Sequence, residues 1–259
     1  MATLLDLHRR RKAGDIAYDR VLIETSGLAD PAPILHALMT DRDVAEFHVI
    51  DGVVTVVDVL HAEATLDRHP EARRQVALAD TLLLSKTDIA APSQALRERF
   101  SGAILHHARD VAPATLFAGS DAAARLATAA PIAHSPFRAV HTDGIETFSL
   151  LRDRPVPALA LTLLLESLVE HCGARLLRLK GLVDIEEMPG QPALIHAVQH
   201  VISPPEFLDR WPSADHRTRL VFIAQGVPRH FPARLLDAIE AEVRDVSGAC
   251  TKDAAGPAS

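Results

Sequence analysis

The amino-acid sequence predicts an α/β domain followed by a small α+β domain, and three observations carry this prediction. Between residues 19 and 108, short apolar runs alternate with helical segments, which is the pattern of a parallel sheet with helices on both faces. Around residues 122–143 the alternation gives way to Ala-Ala-Pro, Ser-Pro and Asp-Gly. Beyond this stretch, the order βαβββα is typical of hairpin-joined strands with two helices on one face.

Four near-continuous apolar runs are the predicted strands of the first domain, because the strands of a parallel sheet are buried on both faces. These strands are residues 20–25, 52–59, 81–84 and 103–106. Three of the four predicted helices begin with a proline, which suits the first helical turn. These helices are residues 4–12, 31–39, 70–79 and 92–100.

The second half of the chain supplies the elements of the α+β domain. In order, they are a strand at 146–151, an apolar helix at 156–171, strands at 174–185, 193–201 and 218–225, and a helix at 232–243. The chain is thus divided into a first domain (1–120), a linker (121–142), a second domain (143–246) and a tail (247–259). The tail contains no core residues and is therefore predicted to be disordered.

The composition excludes two classes of partner. The chain has 27 basic and 34 acidic residues, a formal charge of −7 and only 4% aromatic residues, which leaves little to neutralise a phosphate backbone or to stack on bases. Its longest apolar stretch, residues 158–165, is much shorter than the ~20 residues of a membrane span. We therefore expect no nucleic-acid partner and no membrane partner.

Cysteine usage and the first residues indicate the compartment. Cys172 and Cys250 are the only cysteines and form no CxxC pair, so the chain encodes neither a disulfide framework nor a cysteine zinc site. The basic run at residues 9–12 follows the first apolar residues, whereas a secretory signal has the reverse order. We expect a cytoplasmic protein.

The first candidate site follows the first predicted strand, at residues 24–31. The strand ends of open α/β sheets face the ligand crevice. There, the Glu24 carboxylate is suited to holding the water shell of Mg²⁺, and Gly27 lets a backbone N–H approach a terminal phosphate without a side chain in the way. The alternative interpretation is local, since Asp30 before Pro31 is a good N-cap and Ser-Gly is a common turn.

The second candidate site is the polar segment at residues 85–88, which follows an apolar strand. Only four of the 27 basic residues are lysines, so Lys86 directly after a buried strand stands out. The stem of Lys86 can lie along a purine ring, while the Asp88 carboxylate can accept hydrogen bonds from N1–H and N2–H of guanine, a pair of donors that adenine lacks. The alternative is that Asp88 caps a helix and that Lys86 is simply exposed.

Together these segments resemble the CobW family of P-loop GTPases, whose members are metal chaperones or metal-insertion proteins, often for zinc or cobalt. Residues 24–31 resemble the family's E-x-x-G switch segment, and residues 85–88 take the place of the guanine-specifying N-K-x-D, with Ser85 where asparagine is commonest. Further segments follow the family's order at residues 51–58, 69–80, 176–183 and 195–200. The resemblance covers residues 15–243.

The resemblance implies a partial P-loop NTPase sheet, GTP and Mg²⁺ as cofactors, and delivery of zinc or cobalt to a client metalloprotein as the function. The residues carried over are Glu24 for Mg²⁺ and its waters, Gly27 for the γ-phosphate, and Ser85, Lys86 and Asp88 for guanine. Glu24 and Gly27 are the predicted catalytic residues. Asp58, counted with the cofactor-binding residues, lies at a strand end near the same crevice, where it either supports the shell of the metal ion or has a capping role.

Two motifs of the family are absent from the 259 residues, namely the phosphate-binding loop G-x-x-x-x-G-K-[ST] and the metal motif C-x-C-C. We therefore expect an N-terminally truncated member without GTP turnover, because phosphate positioning supplies nearly all of the catalysis. The missing strand would, by resemblance, lie between residues 20–25 and 52–59, which leaves apolar edges open to a partner chain. Three alternatives stay open: a non-catalytic remnant that binds a client through the second domain, half of a split GTPase, or a fragment from a misassigned start.

The 14 histidines do not form the pattern of a metal site. None lies in a compact group with carboxylates at metal-ligand spacing. His196 and His200, and with them His171, are retained only as weak candidates for a secondary metal contact.

Overall fold

The computed structural model describes residues 2–27, 29–100, 103–117 and 144–254, with side chains as far as residue 246. These residues form two compact units, of which the first holds residues 2–117 and the second residues 145–254. The predicted linker at 121–142 lies outside the described residues. Of the helices in the described ranges, none combines the length and the apolar character that crossing a membrane requires.

The first unit is an α/β layer with a parallel sheet, as the sequence predicts, but the sheet has three strands instead of the predicted four. The sheet has the order β1-β2-β3, with strands β1 (Val54–Asp58), β2 (Thr81–Ser85) and β3 (Ile104–His107). Its helices are α1 (Ala2–Ala13), α2 (Pro31–Thr40), α3 (Arg42–Ala45), α4 (Ala62–Arg68), α5 (Pro70–Leu78), α6 (Gln94–Arg99) and α7 (Pro113–Phe117). Leu82 and Leu84 of the central strand are fully buried and anchor the core of this unit.

Local signals explain where the helices of the first unit begin. Asp30 caps α2 by accepting a hydrogen bond from the backbone N–H of Ala32 at 3.0 Å, and Pro31 occupies the first turn. Asp41 caps α3 in the same way, by accepting from the N–H of Val44 at 3.2 Å. The structure thus confirms Asp30 as an N-cap.

The strand predicted at residues 20–25 is wrong. Residues 20–26 form no strand in the structure, and Leu22 and Ile23 are 69% and 51% exposed. An apolar run becomes a strand only when a neighbour supplies hydrogen-bond partners, and none of the described strands lies alongside this segment. In the sheet itself, Val54 and Val56 of the edge strand β1 are 43% and 66% exposed.

The second unit is an antiparallel sheet with two helices, as the order βαβββα predicts. The sheet has the order β4-β9-β5-β6-β7, and a further short strand, β8, pairs with β6. Its strands are β4 (Ile145–Arg152), β5 (Leu176–Val183), β6 (Ala193–Val198), β7 (Val201–Ile202), β8 (Glu206–Phe207) and β9 (Thr218–Gln225). Helices α8 (Ala158–Cys172) and α9 (Phe231–Ala254) pack on each other, and their apolar residues share one core with Phe148, Leu179 and Phe222 of the sheet.

Two boundaries in the second unit differ from the prediction. The strand predicted at 193–201 is interrupted after Val198, because Gln199 has a φ of +53° and turns the chain back into β7. The tail predicted to be disordered from residue 247 is helical as far as Ala254, since α9 continues beyond the predicted end at 243. No proline interrupts the sequence before Pro257, so each added residue extends an existing helix at little cost. Residues 255–259 lie outside the described part of the chain.

We predict that Gly181→Ala destabilises the second unit. A Cβ at this position in β5 would overlap the carbonyl oxygen of Arg219 and the side chain of Leu220 in the neighbouring strand. Because overpacking against backbone cannot relax through a flexible side chain, we expect a loss of about 2 kcal/mol or more in the free energy of unfolding. Trp211, the only tryptophan, lies in this unit, so its fluorescence during urea unfolding reports the loss.

The matched control is Gly52→Ala in the first unit, where the nearest atom to an added Cβ is Asp80 Oδ2 at 3.6 Å, an ordinary contact. We expect this variant to stay within about 0.5 kcal/mol of the parent chain when unfolding is followed by circular dichroism. An unfolding midpoint of Gly181→Ala equal to that of the parent chain would show that the strand spacing is not as tight as the structure has it.

Candidate functional site

The carboxyl ends of the three parallel strands bring the predicted base-binding residues to one edge of the sheet. Asp58, the last residue of β1, lies directly opposite Ser85, the last residue of β2. Leu84 of β2 lies opposite His107, the last residue of β3. The hydroxyl of Ser85 donates a hydrogen bond to the carbonyl of Val57 at 3.2 Å, which ties the start of the polar segment to β1.

Asp58 is the centre of a small charged cluster at this edge. Its Oδ2 accepts a hydrogen bond from Lys86 Nζ at 2.6 Å and contacts His61 Nδ1 at 2.9 Å, while Oδ1 accepts from the N–H of Leu60 at 3.0 Å. The hydrogen bond from Lys86 and then that from His61 hold the pKa of the Asp58 carboxyl well below its ordinary value. The carboxylate therefore orients the one lysine that the sequence singled out.

Lys86 also has an unusual backbone conformation. Its φ is +59°, a left-handed region that side chains other than glycine rarely occupy. Its carbonyl accepts hydrogen bonds from the N–H groups of Ile89 and Ala90 at 3.1 and 3.2 Å, so the chain turns sharply directly after β2. Strained residues of this kind persist where their surroundings fix them, and the side chain of Lys86 is held here by its ion pair with Asp58.

Asp88 contacts a residue that the sequence reasoning missed. Arg109 Nη1 lies 3.1 Å from Asp88 Oδ2, and the two side chains are 65% and 46% exposed. Arg109 follows β3 as Lys86 follows β2, so the same topology carries it to the same edge. The sequence does contain a signal, because Arg109 lies two residues after the end of β3. Only the order of the strands shows that it contacts Asp88.

Helix α5 anchors the segment around Gly27. The side-chain Nε2 of Gln75 donates to the carbonyl of Gly27 at 3.1 Å and to that of Ala29 at 2.8 Å. Its neighbour Arg74 forms an ion pair with Asp30 at 2.7 Å. The carbonyl of Gln75 in turn accepts from Thr55 Oγ1 in β1 at 3.0 Å, so the segment is connected to the sheet through α5.

Gly27 is not required by the fold itself. Its φ is not in the left-handed region, and a Cβ built on it would meet no atom within 4 Å. Glu24 and Gly27 are both exposed. Among the described residues, no hydrogen bond or ion pair joins either of them to Asp58, Lys86 or Asp88, so the structure presents the site as two separate groups.

The histidines do not assemble into a metal site in the part of the chain that is described. That part contains no group of three or more His, Cys, Asp or Glu side chains placed to hold a metal ion. His196 lies in β6, whereas His200 lies in the turn after it. His171 Nδ1 contacts the carbonyl of Ser167 at 2.9 Å within α8.

Both units match family models. Residues 1–112 match the CobW/HypB/UreG nucleotide-binding domain, and residues 145–240 match the cobalamin synthesis protein cobW C-terminal domain. The chain belongs to the CobW family. It is 29% identical over 233 residues to the zinc chaperone YjiA of Escherichia coli (strain K12), a match that covers 87% of this chain and 72% of that protein.

A crystal structure of YjiA and two yeast proteins are also similar to this chain. The crystal structure of the Zn(II)-bound YjiA GTPase from E. coli matches with a TM-score of 0.73 and 26% identity, over 91% of this chain and 76% of that one. The zinc-regulated GTPase metalloprotein activator 1 of Saccharomyces cerevisiae is 34% identical over 95 residues, and that of Schizosaccharomyces pombe is 35% identical over 73 residues. These two matches cover 30% and 28% of this chain but only 22% and 18% of the yeast proteins.

We predict that Asp58→Asn removes part of the acid sensitivity of the first unit. Because the folded pKa of Asp58 lies below its ordinary value of about 3.9, the carboxylate stabilises the folded state above that value, and the contribution is lost as the pH falls below it. Asparagine cannot titrate, so the variant is less stable near neutral pH but loses less on acidification. Hydrogen exchange, corrected for the intrinsic rate and compared between about pH 6 and about pH 3, measures this in peptides of the first unit.

Asp215→Asn is the matched control in the second unit, because hydrogen bonds from Arg217 lower the pKa of Asp215 in the same direction. We expect its effect on hydrogen exchange in peptides of the second unit alone. If Asp58→Asn left the pH dependence of the first unit unchanged, the cluster around Asp58 would not form in solution.

Proposed function

We propose that the chain is a guanine-nucleotide-binding protein of the CobW family that delivers zinc or cobalt to a client metalloprotein. The observation that carries the proposal is the set of polar side chains at the carboxyl ends of the parallel strands, with Asp58 at the end of β1 and Lys86 and Asp88 after β2. The Gly27 segment is connected to the same sheet through α5. The names of the relatives, a zinc chaperone and two zinc-regulated GTPases, support the metal part of the proposal.

On the base side of the site, Lys86 and Asp88 have the chemistry that guanine requires. Asp88 is about half exposed, so its carboxylate is accessible to the N1–H and N2–H donors of the base. Lys86 is held by Asp58, and its aliphatic stem offers an apolar surface to a purine ring. The hydroxyl of Ser85 donates its proton to the carbonyl of Val57 in β1. In this proposal Ser85 therefore positions the segment and makes no hydrogen bond to the base.

On the phosphate side, Glu24 and Gly27 fit the roles that the family implies. The exposed carboxylate of Glu24 is the type of oxygen ligand that holds Mg²⁺ through water. At Gly27 the fold does not demand a glycine, which supports a role in which a ligand approaches the backbone. Gln75 fixes the carbonyls on both sides of this approach, so the segment is held in place before a ligand binds.

We propose binding without turnover for these 259 residues. They contain no G-x-x-x-x-G-K-[ST] loop, and backbone N–H groups of such a loop, with its lysine, are what stabilise the transferred phosphoryl group. A second candidate is half of a split GTPase, in which a partner chain adds a strand and the loop. The exposure of Val54 and Val56 along the edge strand β1 supports this candidate, since such an edge is a template for strand pairing.

The nucleotide part of the proposal predicts a base-specific effect of Asp88→Asn. The amide of asparagine offers one acceptor and one donor, whereas the carboxylate offers two acceptors. We therefore expect the affinity for GTP to fall about tenfold or more. The affinity for XTP is expected to rise, because XTP carries an oxygen in place of the N2 amino group. Isothermal titration with GTP, ATP and XTP measures both changes. Equal affinities of the parent chain for GTP and ATP would contradict guanine binding.

The metal part of the proposal predicts that zinc retention depends on the nucleotide. The described residues hold no group of three metal ligands, so we expect weak zinc binding whose strength differs between the chain with GTP and Mg²⁺ and the chain without nucleotide in equilibrium dialysis, because delivery requires two states of different metal affinity. Metal analysis of the dialysed protein gives the readout, and ATP in place of GTP is the control. Equal retention in the two states would contradict GTP-dependent delivery but would leave guanine binding intact.

A further inference from the structure

We infer that Arg109 is an additional specificity-determining residue of the nucleotide site, which donates a hydrogen bond to O6 of guanine while Asp88 accepts from N1–H and N2–H. This inference rests on the proposed function and assigns one more contact to the same site. It starts from the ion pair between Arg109 Nη1 and Asp88 Oδ2 at 3.1 Å.

The topology of the sheet places Arg109 next to the base-reading segment. Strands β2 and β3 are parallel and in register, with Leu84 opposite His107. The N–H of Ala108 donates to the carbonyl of Leu84 at 2.9 Å, so the chain is held against β2 until the residue before Arg109. The arginine therefore begins at the edge of the sheet, and its guanidinium extends to the carboxylate that the segment after β2 presents.

The two side chains together complement the edge of guanine. Along its Watson–Crick edge, guanine presents an acceptor at O6 followed by two donors at N1–H and N2–H. A guanidinium beside a carboxylate presents a donor followed by two acceptors, which is the same order that cytosine presents in a base pair. Asp88 alone satisfies only the two donors and leaves O6 without a partner.

Adenine would meet the reverse arrangement. Its N6 amino group is a donor and would face the guanidinium, which has no acceptor, while its N1 is an acceptor and would face the carboxylate. The pair of Arg109 and Asp88 therefore discriminates between the two purines at two adjacent positions. Specificity built on unpaired polar groups of this kind is stronger than specificity built on apolar fit.

The ion pair does not obstruct this role. Both side chains are about half exposed, and exposed ion pairs of this kind contribute little to stability. A carboxylate has several lone-pair sites and a guanidinium up to about five N–H groups, so both can contact a base while remaining in contact with each other. Ser85, which stands where the family most often has asparagine, donates its hydroxyl proton to Val57, so Arg109 supplies a donor to the base that Ser85 does not.

The test compares nucleotides that differ at one position of the base. GMP, 6-thio-GMP, IMP and AMP are titrated into the full chain by saturation-transfer NMR, which detects weak binding and does not require a γ-phosphate. In 6-thio-GMP a poor sulfur acceptor replaces O6, while IMP lacks only the N2 amino group. We expect the parent chain to prefer GMP to 6-thio-GMP and to IMP by about tenfold each, since each change removes one charge-assisted hydrogen bond.

Arg109→Met is expected to abolish the preference for GMP over 6-thio-GMP and to keep the preference for GMP over IMP. Arg9→Met is the control, because it removes the same positive charge from helix α1. The side chain of Arg9 is 74% exposed, which is similar to the 65% of Arg109. A merely structural role of Arg109 would lower all affinities together and leave the ratios unchanged.

If Arg109→Met kept the preference of the parent chain for GMP over 6-thio-GMP, the inference would be wrong while guanine binding stood. If the parent chain bound GMP no better than AMP, the proposed function would fail and this inference with it.

Discussion

The parallel pairing of β1, β2 and β3 is the constraint on which the candidate site depends. Residues that are far apart in sequence meet only because parallel strands end at the same edge of a sheet, so Asp58, Lys86 and Arg109 lie at or just after three neighbouring strand ends. The buried leucines at 82 and 84 fix the register of the central strand. A slip of one residue would turn these leucines to the opposite face and would separate Asp58 from Ser85.

The contacts at this edge differ in kind from those of the core beneath it. Leu82 is fully buried, and its removal would leave a cavity that the fold cannot close without cost. By contrast, the side chains in the ion pairs of Asp58 with Lys86 and of Asp88 with Arg109 are accessible to solvent, and such pairs contribute little to stability. The sheet therefore provides rigidity, and the charged side chains provide orientation that a ligand can exchange for its own contacts.

The sequence predicts those parts of the fold that depend on local pattern. Buried runs such as Thr81–Ser85, and helices that begin at a capping aspartate such as Asp30, lie where the pattern places them. Residues 20–25 have the same apolar pattern but form no strand. A strand requires a neighbouring strand as hydrogen-bond partner, and the pattern of a single segment does not show whether that partner is present. Arg109 and Gln75 were missed as site residues for a related reason, since their contacts depend on which elements become neighbours.

Helix α5 connects the two groups of predicted site residues. Gln75 holds the carbonyls of Gly27 and Ala29, while its own carbonyl accepts from Thr55 in β1. Two residues earlier, the buried Arg73 donates to the carbonyls of Leu66 and Asp67 at the end of α4, the helix whose first turn follows His61.

His61 contacts Asp58, so hydrogen bonds together with helices α5 and α4 link the glycine segment to the lysine on the base side. Continuity in space is not by itself coupling, which also requires an element with two arrangements. The glycine segment meets α5 through two side-chain hydrogen bonds of about 1 kcal/mol each and one ion pair. These few contacts hold the glycine segment to α5, whereas the hydrogen bonds of the sheet hold β1, so the glycine segment is the more easily displaced of the two.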